Sequence, residues 1–175
     1  MALTHYLIAS QTVGSGGAAS VTFSSIPSTY TDLKIVASVR SAYGTNTNDQ
    51  FFMRVGNGTV DSASNYPHKF FAGGGTSTDY DGGTTTAVNP QGQTDAMTAD
   101  TFGLFEYYIP NYRSSNQKSI SVDATTENNA SLSYFTTGAF LWTGTSAIDI
   151  ITFSSVHSSN LMQYSTFYLY GIKNS

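Results

Sequence analysis

Ser165-Thr-Phe-Tyr-Leu-Tyr-Gly-Ile-Lys-Asn-Ser175 ends the chain, and its reading decides the fold. From Phe167 to Ile172 the side chains alternate. Phe167 and Leu169 fall on one side, and Tyr168, Tyr170 and Ile172 fall on the other. Period two built from aromatic and β-branched residues is the pattern of a β-strand. Bulky groups on both sides predict a central strand with something packed on each face. The C-terminus is then expected to close the sheet rather than trail away as a tail.

The same period recurs toward the N-terminus, predicting strands over Ala147–Phe153, Leu132–Trp142, Lys118–Thr125 and Thr101–Ile109. In the last of these, Phe102, Leu104, Glu106 and Tyr108 alternate with Gly103, Phe105, Tyr107 and Ile109. Leu33–Arg40 has the clearest amphipathic pattern, with Leu33, Ile35, Ala37 and Val39 inward and Lys34, Ser38 and Arg40 on the opposite face. Gln50–Val55 turns Phe51, Met53 and Val55 inward, and Asn57-Gly58 suits a type I′ turn. Leu3–Val13 has Tyr6 and Ile8 on one face and Leu7 and Ala9 on the other. Ala18–Phe23 follows after Gly14-Ser-Gly-Gly17, and the two read as a hairpin that Ile26-Pro27 terminates. A single turn near Asn65–Phe71 is the only helical expectation. Thr22-Phe-Ser-Ser-Ile26 returns as Thr152-Phe-Ser-Ser-Val156, a strand running into a serine-rich turn used twice, or the trace of a duplicated half. Eight or nine such strands predict one all-β domain over residues 1–175, an antiparallel, jelly-roll-like β-sandwich. Gly73–Ala99 breaks the pattern. It offers too little apolar surface to offset the entropy of ordering, and is expected to be a mobile loop or an arm that orders against a partner.

Composition narrows the class. The chain has 175 residues, of which only 10% are charged, against about 25% in an average soluble domain. Its 24 Ser and 24 Thr solvate the surface with hydroxyls instead of ions. The net charge is −4 with seven scattered basic residues, so a groove for nucleic acid is not expected. There is no Cys, hence no disulfide and no thiolate metal site. No apolar run approaches the length of a membrane-spanning helix. The N-terminus lacks a basic signal-peptide region, so synthesis in a cytoplasm is expected.

Catalytic, cofactor and metal motifs are not found. His5, His68 and His157 lie far apart, none at metal-ligand spacing from another ligand, and each is expected to be a surface or satisfied strand histidine. Asp79-Tyr-Asp81-Gly has the flavour of a calcium loop but lacks its later acceptors, which favours a turn. The glycines of Gly14–Gly17 and Gly73–Gly75 open no helix and support no phosphate cradle. Glu106 and Glu127 are the only glutamates, and nothing singles out an acid/base pair for an enzyme acting on polysaccharide. Asn57-Gly-Thr59 and Asn129-Ala-Ser131 match a glycosylation sequon that carries no information without secretion. The unusual inventory is aromatic: twelve Tyr, eleven Phe and Trp142. Most are expected in the core, and exposed ones can stack on sugars or anchor an interface.

Several stretches resemble short all-β virion structural proteins of tailed bacteriophages. They are Ala19-Ser-Val-Thr-Phe-Ser-Ser-Ile-Pro27 followed by Tyr30-Thr-Asp-Leu33, then Val36-Ala-Ser-Val-Arg40, Asn57-Gly and Ser64-Asn-Tyr66, and the closing Phe167-x-Leu-Tyr-Gly-Ile-Lys173. The resemblance spans both ends and much of the middle, with nothing to match Gly73–Ala99. It implies a place in the virion, as a capsid decoration or cement protein bound to the major capsid protein. The alternative it implies is a tail fibre or tail-tip module that reads a host glycan. A short chain without shaft repeats favours decoration, with copies expected to assemble as a homo-oligomer, a trimer at a local symmetry axis. The resemblance brings no catalytic residue, no cofactor and no metal.

Overall fold

The computed structural model describes residues 4–44, 49–74, 77–94, 96–127 and 133–173. None of these residues is helical. They form β1 (His5–Thr12), β2 (Val21–Phe23), β3 (Asp32–Ser41), β4 (Asp49–Asn57), β5 (Thr59–Val60), β6 (Tyr66–Gly74) and β7 (Ser77–Thr85). There follow β8 (Gln91–Thr94), β9 (Gly103–Ile109), β10 (Lys118–Glu127), β11 (Ser133–Trp142), β12 (Ile150–Ser155) and β13 (Thr166–Ile172). Eight strands make one large sheet in the order β1-β13-β3-β9-β10-β11-β6-β7, antiparallel at every step. A smaller sheet, β2-β12-β4, has the two-residue β5 on the end of β4. β8 runs parallel to the end of β3 and antiparallel to β4, joining the sheets along one side. The fold is an all-β sandwich of unequal sheets, with more strands than the eight or nine expected.

The core lies between the sheets. The large sheet contributes Leu33, Ile35, Phe105, Tyr107, Ile120, Phe140 and Leu169, and the small one contributes Val21, Met53, Val55, Ile151 and Phe153. All come from the inward half of an alternating pattern, so burial and period agree. β13 is interior, with β1 and β3 on its two edges. Phe167 and Leu169 are buried as expected, and on the opposite side Ile172 is buried too, but that side is open at Tyr168. Tyr168 is 37% exposed and stacks on Tyr170 at 6.5 Å. The small sheet covers only one face of the large sheet, and Tyr can stand at that open face because its hydroxyl stays wet. Gly171 has a packing reason, since the ring of Tyr30 lies where a Cβ would stand, at 2.2 Å from that position. Gly171→Ala is therefore expected to destabilise by about 1–3 kcal/mol through overpacking. Denaturant unfolding reads this directly, and an unchanged midpoint would show that Tyr30 gives way freely.

Five expectations about local structure are corrected. β1 and β2 do not form a hairpin: β1 pairs with β13 and β2 with β12. The turn at Gly14–Gly17, with Gly16 and Gly17 at positive φ, instead carries the chain from one sheet to the other. A bulge between Leu7 and Ala9 resets the alternation of β1, so Ala9 joins Ile8 against the core. Gly58 takes φ +69° while Asn57 stays negative, so the turn after β4 is not type I′. The helical turn near Asn65–Phe71 is β6, because Tyr66 anchors this segment in the core and its backbone pairs with β11. The described residues of Gly73–Ala99, all but 75, 76 and 95, are not structureless. Ser77–Thr85 runs back along β6 from Gly74↔Ser77 to Tyr66↔Thr85, and Val88 bridges to Met53. Main-chain hydrogen bonds to an already docked strand order this segment without an apolar face of its own.

Arg40 also departs from its expected solvent-facing position. It is buried, and its guanidinium donates to the carbonyls of Met97, Thr98 and Thr101, which fold over the end of β3. The sequence echo becomes a physical pair. Thr22 and Thr152 stand opposite each other in the antiparallel β2–β12 ladder with their hydroxyls 2.9 Å apart. Phe23 and Phe153 meet edge to face at 6.4 Å.

Candidate interaction surface

Large apolar side chains normally fill the inward half of a strand pattern, so those on the outward half are informative. On the outer face near the β7 end of the large sheet, Phe71 is 60% exposed, Tyr80 69%, Leu104 45% and Phe135 43%. Phe71 and Tyr80 are direct cross-strand partners on β6 and β7. Phe135 opposes Gly73, one diagonal step from Phe71. Leu104 and Phe135 flank Thr125 on β10. A shallow cavity of about 320 Å³ opens beside them, lined by Phe102, Leu104, Thr125 and Phe135. The Lys69 ammonium stands 5.3 Å from the centre of the Tyr80 ring. The result is a stripe across five neighbouring strands, β9 to β7, with large apolar side chains on four of them and Thr125 on β10 between Leu104 and Phe135. It reaches β7, which pairs only with β6 among the described residues.

The opposite end of this face is mixed. Tyr168 and Tyr170 stand on β13, and Lys34 pairs with Glu106 at 3.0 Å. The hydroxyl of Tyr108 donates to Asp32 at 2.6 Å. That bond to a carboxylate, then burial and the Asp32 charge, push the Tyr108 hydroxyl up to about 12.

The three histidines remain apart. His5 is exposed, its Nδ1 3.2 Å from the Thr4 hydroxyl. His68 is enclosed between Phe70 and Phe140, with Nε2 3.6 Å from Asp81. His157 stacks on Tyr43 at 3.9 Å, with Nε2 3.8 Å from Oδ1 of Asp49. The other oxygen of Asp49 accepts from Ser155 at 2.6 Å. The carboxylate thus stands between serine and histidine, and the imidazole does not meet the hydroxyl as a nucleophile's base must. Asp79 and Asp81 lie in β7, a strand where a turn was expected. Glu127 ends β10. Asn57 donates through its amide to the carbonyl of Ala147, and the sequon at Asn129 lies outside the described residues. Among the described residues no three His, Cys, Asp or Glu side chains cluster to hold a metal, and no helix is long and apolar enough to cross a membrane.

Trp142 does not belong to the exposed aromatic set. It is buried, with the Lys118 ammonium 5.5 Å from its ring centre and its Nε1 donating to Asp61 at 2.9 Å. Burial raises the affinity of Asp61 for its proton, but hydrogen bonds from Asn65, Trp142 and the Ala63 amide outweigh this and hold its carboxyl below the usual range. A depressed folded-state value contributes stability that is present above the unfolded value of about 3.9 and is lost as pH falls through the folded value. Melting temperature between roughly pH 2 and pH 6 is expected to fall less steeply in Asp61→Asn than in the parent chain. Parallel curves would show that Asp61 contributes nothing to acid sensitivity.

The Phe71–Tyr80 pair is invisible to a reading that places Tyr80 in a loop. The available signal was the Phe70-Phe71 doublet, which cannot turn both rings inward from one strand. The chain matches no family model, no curated protein and no solved structure.

Proposed function

We propose that this chain is a bacteriophage virion structural protein, a capsid decoration or cement protein that bridges subunits of the major capsid protein. The reading rests on the resemblance of the stretches quoted above. The single observation that carries it further is the exposed stripe formed by Phe71, Tyr80, Leu104 and Phe135. The role is mechanical and needs no catalytic group or cofactor. Removing these side chains from water supplies on the order of 5–10 kcal/mol per copy before association costs. Repeated over many copies, no single contact need be strong, and a trimer would set three such stripes on neighbouring capsid subunits. A weakly charged surface also limits repulsion between closely set copies.

Copy number per virion, measured by quantitative mass spectrometry against the major capsid protein, tests this. Hundreds of copies in simple ratio to the capsid subunit are expected. A few to a few dozen would move the protein to the tail or the vertices and end the cement reading.

The Tyr168–Tyr170 stack beside the Lys34–Glu106 pair favours a second reading. Aromatic faces with adjacent hydrogen-bonding groups suit a sugar ring, as in a tail receptor-binding module for a host glycan. A glycan array without binding above background would count against it.

A further inference from the structure

The large sheet has two unpaired edges among the described residues, β1 at one end and β7 at the other. Seven successive antiparallel pairings separate them, so β1 and β7 run in opposite directions. A second copy rotated about an axis roughly parallel to the strands therefore sets its β1 antiparallel to β7 of the first, and the alternation of the sheet continues across the boundary. The strands also match in length, eight and nine residues.

Their side chains match as well. Leu7 on β1 is 56% exposed and Tyr80 on β7 is 69% exposed. Leu7 opposes Tyr170 and Tyr80 opposes Phe71, both on the outer face. Setting Leu7 opposite Tyr80 places Tyr6 opposite Asp81. The Lys173 ammonium stands 5.6 Å from the centre of the Tyr6 ring, and Asp81 is 61% exposed, so this register brings opposite charges together. β1 itself contains no acidic residue, whereas β7 contains Asp79 and Asp81. Pairing β7 with its own copy would instead set one acidic strand against another, whereas β1 brings no acidic residue to the contact. Long free edges otherwise invite unspecific pairing. The bulge after Leu7 confines the matched register to a short stretch.

We propose that copies of this chain join head to tail by adding β1 of one copy to β7 of the next, with Leu7 against Tyr80 and Lys173 against Asp81, in a closed ring. This supplies the contact for the trimer proposed above. Its test uses purified chain in solution, so its failure leaves the decoration reading standing, and a low copy number in the virion leaves this contact standing.

The experiment is a complementation series followed by sedimentation and light scattering, with folding checked by circular dichroism. The parent chain is expected to form a discrete ring. Leu7→Asp damages only the β1 edge, and Asp81→Lys damages only the β7 edge. Each alone is expected to weaken association at least tenfold. Mixed together they retain one good edge of each kind, so a one-to-one dimer that grows no further is expected. Lys173→Asp combined with Asp81→Lys is expected to restore the ring. A parent chain that stays monomeric at millimolar concentration would overturn the proposal. So would folded single variants that keep parental assembly, or single variants that fail to complement each other.

Discussion

Phe153→Ala is expected to destabilise the protein by about 3–5 kcal/mol and to lower its melting temperature by roughly 10–15 °C. Phe153 sits in the middle of β12, between Met53 on β4 and Val21 on β2. Its ring meets Phe167 at 5.0 Å, Tyr107 at 5.9 Å and Phe23 at 6.4 Å. It therefore ties the small sheet to both β9 and β13 of the large one. Truncation loses the transfer free energy of the ring and leaves a cavity whose walls belong to paired strands that cannot collapse inward. Phe153→Leu, which retains most of the volume, should cost far less. Thermal and denaturant unfolding measure both, and a loss below about 1 kcal/mol for the alanine variant would mean that neighbouring rings refill the space.

Arg40→Met is expected to cost about 3 kcal/mol or more. Methionine keeps the apolar stem but not the donors. The Arg40 guanidinium reaches Met97 at 3.0 Å, Thr101 at 3.1 Å and the carbonyl of Thr98. These main-chain acceptors are held by one planar, multiply donating group, and its loss leaves them without that partner in a buried site. Arg40→Lys should recover little, because a single ammonium cannot span the same fork. Hydrogen exchange supplies the local readout. Protection in residues 96–102 should fall by more than protection in β9 and β10, whereas a uniform loss would indicate global destabilisation without a local clamp.

Legibility differed with the kind of information each feature needed. The alternation of Leu33, Ile35, Ala37 and Val39 was readable because each position reports its own burial, and all four are buried. Phe105, Tyr107 and Ile109 behave likewise. Arg40 was misread because strand period assigns it to solvent, and the cover comes from a segment some sixty residues later. The β1–β2 hairpin was misread because a glycine-rich turn between two strands looks the same whether the chain doubles back or changes sheets. Tyr80 was hidden because its strand, Ser77–Thr85, has no other large apolar side chain and pairs with β6 through main-chain groups.

The sequence by itself determined the all-β class, most strand positions and the inward half of most patterns, because these depend on local period and on the transfer of apolar side chains from water. Tertiary structure alone decided which strands pair, that one face of the large sheet stays open, and that Phe71, Tyr80, Phe135 and Leu104 share it. Ladder hydrogen bonds join main-chain groups common to nearly every residue, so they carry little sequence signature. Their partners are chosen by the packing of the whole chain.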